Sequence, residues 1–303
     1  MPKRSLLLAW LAFAQWVHVP LAHADLDILA CEPEWASLAQ ELGGEKVRVV
    51  SATTPRQDPH HIEARPSLIA RARNADLLVC TGAELEVGWL PLLVRESGNA
   101  RIQPGQAGNF EAAAHVRLLE KSGGADRAQG DVHPGGNPHL HADPRNILPV
   151  AEALARRLAE LDPANASHYA VRGHAFRERM GAAIARWEKA AEPLRGMSVV
   201  VHHRSFSYLL HWLGLKVVAD LEPKPGMEPS VAHLAGLLQG LKTRPARGIL
   251  RTAYQSPKPS EWLAGRAGIP AVELPYTVGG SASATDLFGL FDDTLAKLNG
   301  ALR

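Results

Sequence analysis

Three short segments, far apart in the chain, each place a histidine at a turn: Asp58-Pro59-His60-His61, Asn137-Pro138-His139-Leu140-His141-Ala142-Asp143-Pro144 and Val201-His202-His203. Pro138 fixes its own φ and holds Asn137 extended, so His139 leaves the backbone on a stiff turn. Imidazole is a nitrogen donor suited to borderline metal ions, and three imidazoles from distant segments make a site in a cleft, not a local finger. His60, His139 and His203 are therefore the expected ligands. In an extended segment His141 points to the same side as His139, which makes it an accessory candidate. His61 and His202 are adjacent spares, and His202 is expected to face into the fold. His115, His168, His174, His211 and His233 have no such context and read as structural.

The elements around these segments alternate strand and helix. Residues 26–31, 47–50 and 77–80 read as strands, and residues 33–42, 66–73 and 86–96 as helices. This order argues for a parallel sheet covered by helices, with ligands beyond the carboxyl ends of the strands. His60 lies in such a loop, residues 51–65. Residues 105–136 are broken by Gly123-Gly124, Gly130 and Gly135-Gly136 and read as an irregular loop. On it Asp131 and His133 could meet a metal in transit, but a solvated loop is the plainer expectation for both. Asp143-Pro144 reads as the cap and first position of a helix that continues through residues 147–161. Tyr169, Phe176, Met180, Ile184 and Trp187 recur at helical spacings, so residues 165–194 predict one helix of about 45 Å. The second half repeats the alternation, with strands at 199–201, 216–219, 248–251 and 272–274 and helices at 206–213, 231–241, 259–266 and 286–302. The expected organisation is a lobe at residues 25–163, a linking helix at 164–195 and a second α/β lobe at 196–303, with the metal site in the cleft between lobes.

A chain of 303 residues, 46% hydrophobic and 21% charged, is long enough to bury two cores of ordinary size. Residues 1–24 read as a secretory signal peptide: Lys3 and Arg4, an apolar run, then Ala22-His23-Ala24 as a cleavage signal. The apolar run is interrupted by Gln15, His18 and Pro20, and is shorter than the ~20 residues a membrane span needs. Without Lys3 and Arg4, basic and acidic side chains balance, and nothing points to nucleic acid. Ile28-Leu29-Ala30-Cys31 is only faintly like a lipidation box, because Asp25 and Asp27 precede it. Cys31 and Cys80 both end apolar runs; a disulfide and two separate buried thiols are both open readings.

These motifs, in this order, resemble the periplasmic metal-binding receptors of ABC importers, the family that includes ZnuA and TroA. Asp58-Pro59-His60 is similar to that family's first ligand loop, and residues 137–144 to its Asp-Pro-His-x-Trp-x-Asp-Pro segment. His203-Arg204-Ser205-Phe206-Ser207-Tyr208 resembles its His-x-x-Phe-x-Tyr signature, which selects His203 over His202. The resemblance covers essentially the whole chain after residue 24. It implies two α/β lobes bridged by one long helix, an exported monomer in the periplasm, and a partner permease in the inner membrane. A periplasmic zinc carrier could also deliver to residues 105–136.

Neutral imidazoles suit Zn²⁺ as the transported ligand, and affinity should fall as pH drops toward the histidine pKa. In manganese receptors of the family a carboxylate follows the final strand, and Thr277 is the residue aligned with it here. The fourth donor is thus left open between water, Asp286 and another group, with Asp286 expected to cap the last helix. The competing readings are a manganese receptor or adhesin of the same fold, and a zinc hydrolase using a metal-bound water. No H-E-x-x-H or G-x-S-x-G motif supports an enzyme.

Overall fold

A computed structural model describes residues 25–121 and 130–303. The expected signal peptide, residues 1–24, and residues 122–129 of the expected irregular loop lie outside them. The first sheet is built from β1 (Leu26–Ala30), β2 (Val47–Ser51), β3 (Leu77–Cys80) and β4 (Asn109–Glu111), in the order β2-β1-β3-β4 and parallel throughout. Its helices are α1 (Pro33–Gly43), α2 (Pro66–Asn74) and α3 (Leu90–Ser97). After α4 (Pro144–Leu161) and α5 (Ala166–Ala191) comes the second sheet, β5 (Ser198–Val201), β6 (Lys216–Asp220), β7 (Ile249–Thr252) and β8 (Ala271–Leu274). Its order is β6-β5-β7-β8, again all parallel, with α6 (Ser207–Leu213), α7 (Val231–Gly240), α8 (Pro257–Ala267) and α9 (Leu287–Leu302) around it. The two sheets share one pattern, in which the first strand lies inside and the chain steps to either side of it. That reversal opens a crevice at the carboxyl ends.

Three sequence expectations shift for physical reasons. The helix expected from Glu86 begins at Leu90, because Glu86 turns its carboxylate back onto the backbone N–H groups of Thr81 and Gly82, at 2.7 and 3.1 Å. Ala83 and Glu84 there adopt φ of 50° and 65°, which no helix continues through. The irregular stretch after residue 105 contains β4, a strand of three residues whose single buried side chain, Phe110, is too little for periodicity to find. The long helix stops at Ala191 and tightens into a 3₁₀ turn at Glu192–Leu194, since Pro193 cannot continue the hydrogen-bond ladder.

One core runs through both halves. Tyr169, Phe176, Met180 and Trp187 of α5 are buried in it together with Leu38, Leu154, Leu209 and Phe291. The Trp187 ring lies 5.1 Å from Phe291 and its Nε1–H donates to Asp292 at 2.6 Å. Thus α5 is embedded as well as linking, and it ties the sheets to a common frame. Among the described residues no helix is long and apolar enough to cross a membrane.

Cys31 and Cys80 are joined by a disulfide across the carboxyl ends of β1 and β3, with a Cα–Cα distance of 4.8 Å. It closes a loop with a sequence separation of 49. Reduction should lower the unfolding free energy by about 2–4 kcal/mol, read from urea melts with and without reductant.

Beside the disulfide, Glu32 is fully buried and accepts from Thr81 Oγ1 at 3.1 Å, while Trp35 Nε1–H donates to the same hydroxyl at 2.8 Å. Burial, then the charges of Glu86 and Glu34, hold Glu32 well above the usual carboxylate range, and burial pushes Glu86 to about 7. A carboxyl group that is protonated in the fold but ionised in the unfolded chain stabilises at low pH, and the gain is lost as pH rises through its folded pKa. Glu32→Gln should therefore melt close to the parent near pH 4, below the ordinary carboxylate pKa, and gain on it progressively as the pH rises toward 9, measured by thermal denaturation across that range.

Candidate metal centre

Each proposed ligand sits on a loop that leaves the carboxyl edge of a sheet. His60 follows β2, in a turn where Asp58 Oδ1 accepts from both its backbone N–H (3.0 Å) and its Nδ1–H (2.7 Å). Trp89 Nε1–H pins the turn by donating to Pro59 O at 2.9 Å. His139 follows Asn137, whose Oδ1 accepts from His139 N at 2.9 Å, and Asp143 caps α4 by accepting from Arg145 N, as Asp-Pro predicts. Asn137 also joins the halves. Its Nδ2 donates to Arg204 O at 3.0 Å, and its carbonyl accepts from Tyr208 Oη at 2.7 Å. His203 ends the run from β5, and its Nδ1–H donates to Glu222 Oε2 at 2.7 Å.

The structure brings these three rings together. Their ligand nitrogens all lie within 4.8 Å of one another. Nε2 of His139 is 3.4 Å from Nε2 of His203, and His60 lies 5.3 and 5.7 Å from them by ring centroid. His60 and His139 are buried and His203 nearly so. A carboxylate can only accept, so the hydrogens of His60 and His203 are on Nδ1 and their bare Nε2 lone pairs face inward. His139 is held from the same side, its Nδ1 lying 2.8 Å from Tyr276 Oη, and it shares that arrangement in the tautomer whose Nδ1–H donates to the hydroxyl. Burial, then the neighbouring imidazoles, hold His139 well below the usual histidine range. Burial would also depress His203, but the hydrogen bond and charge of Glu222 outweigh it and raise its pKa. The converging Nε2 atoms are nitrogen donors that a cation can take up in place of the His139–His203 and His60–His133 contacts.

The other sequence candidates separate cleanly. His141 is fully buried on the Leu140–Ala142 turn, donating Nε2–H to Tyr276 O at 2.9 Å with Nδ1 3.1 Å from Glu34 Oε1; it supports Tyr276, which supports His139. Thr277 is buried and donates its hydroxyl to Glu34. Asp286 caps α9 by accepting from Gly289 N at 2.7 Å, and so is engaged elsewhere. His202 is buried, as expected, but its Nδ1 finds no partner.

Two residues carry more than their sequence suggested. Glu222 holds His203 and also accepts from Gly226 N at 2.8 Å. His133, expected on a solvated loop, is half-buried with Nε2 3.3 Å from Nε2 of His60. A polar cavity of ≈ 160 Å³ opens from His60 and His203 toward Asp131, Gly226 and Ser256. That holds a few waters but falls short of the ~300 Å³ at which pockets for organic ligands begin.

Two open parallel sheets with a histidine cleft between their carboxyl edges define a two-lobed binding protein for a metal ion. The chain belongs to the family described as zinc-uptake complex component A, periplasmic, which it matches over residues 28–301. That family is one of transport receptors, not of enzymes. The zinc-binding lipoprotein AdcA of Streptococcus pneumoniae is 24% identical over 249 residues, 80% of this chain and 48% of that protein. This chain thus spans about half the length of that relative. The manganese ABC transporter substrate-binding lipoprotein PsaA, also of Streptococcus pneumoniae, is 21% identical over 278 residues, covering 90% and 86% of the two chains. A crystal structure of ZnuA superposes with a TM-score of 0.77 at 24% identity, covering 92% of this chain and 100% of that one.

Because Glu222 fixes both the tautomer and the aim of His203, Glu222→Gln should weaken metal affinity roughly 10–100-fold in a chelator competition titration, with little change in melting temperature.

Proposed function

We propose that this protein is an exported receptor that captures Zn²⁺ in the cleft between its lobes, on His60, His139 and His203, and delivers it to an ABC permease in the inner membrane. It acts as a monomer on the periplasmic side of that membrane, and a periplasmic zinc carrier is a further candidate donor. The lobes we assign are residues 25–163 and 196–303, joined by the helix at 164–195. One observation carries the reading: three imidazoles are each held at Nδ1 by an outward oxygen, which turns their Nε2 atoms toward one another in a single buried cluster. The 3.4 Å between Nε2 of His139 and of His203 suits an edge of a zinc tetrahedron, roughly 3.3–3.4 Å for Zn–N bonds near 2.0–2.1 Å.

Zinc is favoured over manganese by the donor set. Manganese prefers oxygen donors, whereas the carboxylates nearest these rings, Asp58 and Glu222, bind imidazole Nδ1 and not the centre. The relatives' names include both metals, so the choice rests on this chemistry. Small displacements of the lobes on docking would lengthen the distances between nitrogens and release the ion.

Calorimetric titration of the purified protein with zinc chloride and manganese chloride, beside a His60→Ala, His139→Ala, His203→Ala variant, tests this. The expected result is one tight zinc equivalent, lost in the variant and poorly displaced by manganese. Unchanged zinc binding in the variant would refute the ligands, and preferred manganese binding would refute the cargo.

A further inference from the structure

The three-histidine reading leaves one corner of the tetrahedron open, and the following inference rests on that reading. We propose that His133 is the fourth metal ligand, its Nε2 completing with those of His60, His139 and His203 an all-imidazole site. The first support is distance. His133 Nε2 stands 3.3 Å from His60 Nε2, matching the other close pair, His139 and His203 at 3.4 Å. Both separations fit tetrahedral edges, roughly 3.3–3.4 Å, for Zn–N bonds near 2.0–2.1 Å. The His133 ring also approaches His139, centroid to centroid, at 6.5 Å.

The second support is the backbone that brings it there. Asp131 N–H donates to Pro225 O at 3.0 Å, in the loop that follows β6, and Asp131 Oδ2 lies 3.3 Å from Nε2 of His61. His133 O accepts from Gly136 N at 3.0 Å, just before the turn that holds His139. The segment is thus tied to both halves across the mouth of the site. Gly130 has φ of 91°, and a Cβ there would fall 1.9 Å from Pro225 O, so this approach needs glycine.

The third support is elimination of oxygen donors among the described residues near the rings. Asp58 and Glu222 bind Nδ1 atoms, Asp131 faces His61, Thr277 donates to Glu34, and Asp286 caps α9. His133 differs from the other three in one respect: its buried Nδ1 has no partner. It stands beside His60 at the edge of the cluster without being locked there, so it is the ligand that a passing ion would recruit last and lose first.

The experiment is X-ray absorption at the zinc edge on the purified protein loaded with one equivalent of zinc chloride, with calorimetry on His133→Ala, His133→Gln and His203→Ala. Four imidazoles in the parent and three in both His133 variants are expected. The His133 variants should lose at least about tenfold in zinc affinity, since loss of even an outer hydrogen-bond partner costs 10–100-fold. Three imidazoles in the parent, with unchanged affinity in both His133 variants, would overturn the assignment while leaving the receptor intact. It would mean that His133 only hydrogen-bonds to His60. Failure of the parent to bind zinc, or undiminished binding in His203→Ala, would instead overturn the receptor reading itself.

Discussion

Everything at the centre depends on where three hydrogens sit. A free imidazole chooses between two tautomers and rotates; carboxylates fix Nδ1–H in two of these rings, Asp58 for His60 and Glu222 for His203, and the Tyr276 hydroxyl holds His139 in place at its Nδ1. The hydrogen bonds turn flexible side chains into fixed donors, and they do so before any ion arrives. The cost is the crowding of bare lone pairs in a buried space, which the folded frame must sustain. Two of the three acceptors are carboxylates, so they also make the rings better bases and raise the attraction for a cation.

The frame meets that cost through its shared core. His60 and His139 belong to the first half and His203 to the second, yet the anchor of His139 is Tyr276, which follows β8. Asn137 repeats the exchange, shaping His139 with one amide atom and holding Arg204 O with the other. Beneath the cleft, α5 packs Phe176 and Trp187 into a core common to both halves. Such packing resists wide opening, because α5 is packed against α1 and α4 of the first half and against α9 of the second. A receptor of this construction changes affinity through small displacements, to which a site built on nitrogen separations of a few ångströms is sensitive.

Most of this was legible in the sequence because it is local. The alternation of apolar runs and helical spacings located seven of the eight strands among the described residues, and Asp143-Pro144 announced the start of α4. Histidine beside proline marked stiff turns, and the resemblance carried by three motifs placed those turns in one cleft. What sequence reasoning missed is non-local. β4 is recognisable only once β3 lies beside it to pair with Asn109 and Phe110. Glu222 and Tyr276 look like ordinary loop residues until the sheets bring them against His203 and His139. His133 stands among glycines that suggest irregularity, and one of them, Gly130, is what lets the segment approach Pro225. The sole available signal was a histidine on the same loop as Asp131.

The fate of Thr277 bears on which ion the centre prefers. A carboxylate in its place would put a hard oxygen beside the imidazoles; the threonine instead donates to Glu34, which lies 3.1 Å from His141. Glu34 is thereby held one layer back, behind His141, Tyr276 and His139. Asp58 and Glu222 are placed in the same way, behind imidazoles and not beside the ion. Oxygen charge that strengthens nitrogen donors favours ions that bind nitrogen well, and zinc does so far better than manganese. The zinc cargo we propose thus rests on the position of the carboxylates as much as on the number of histidines.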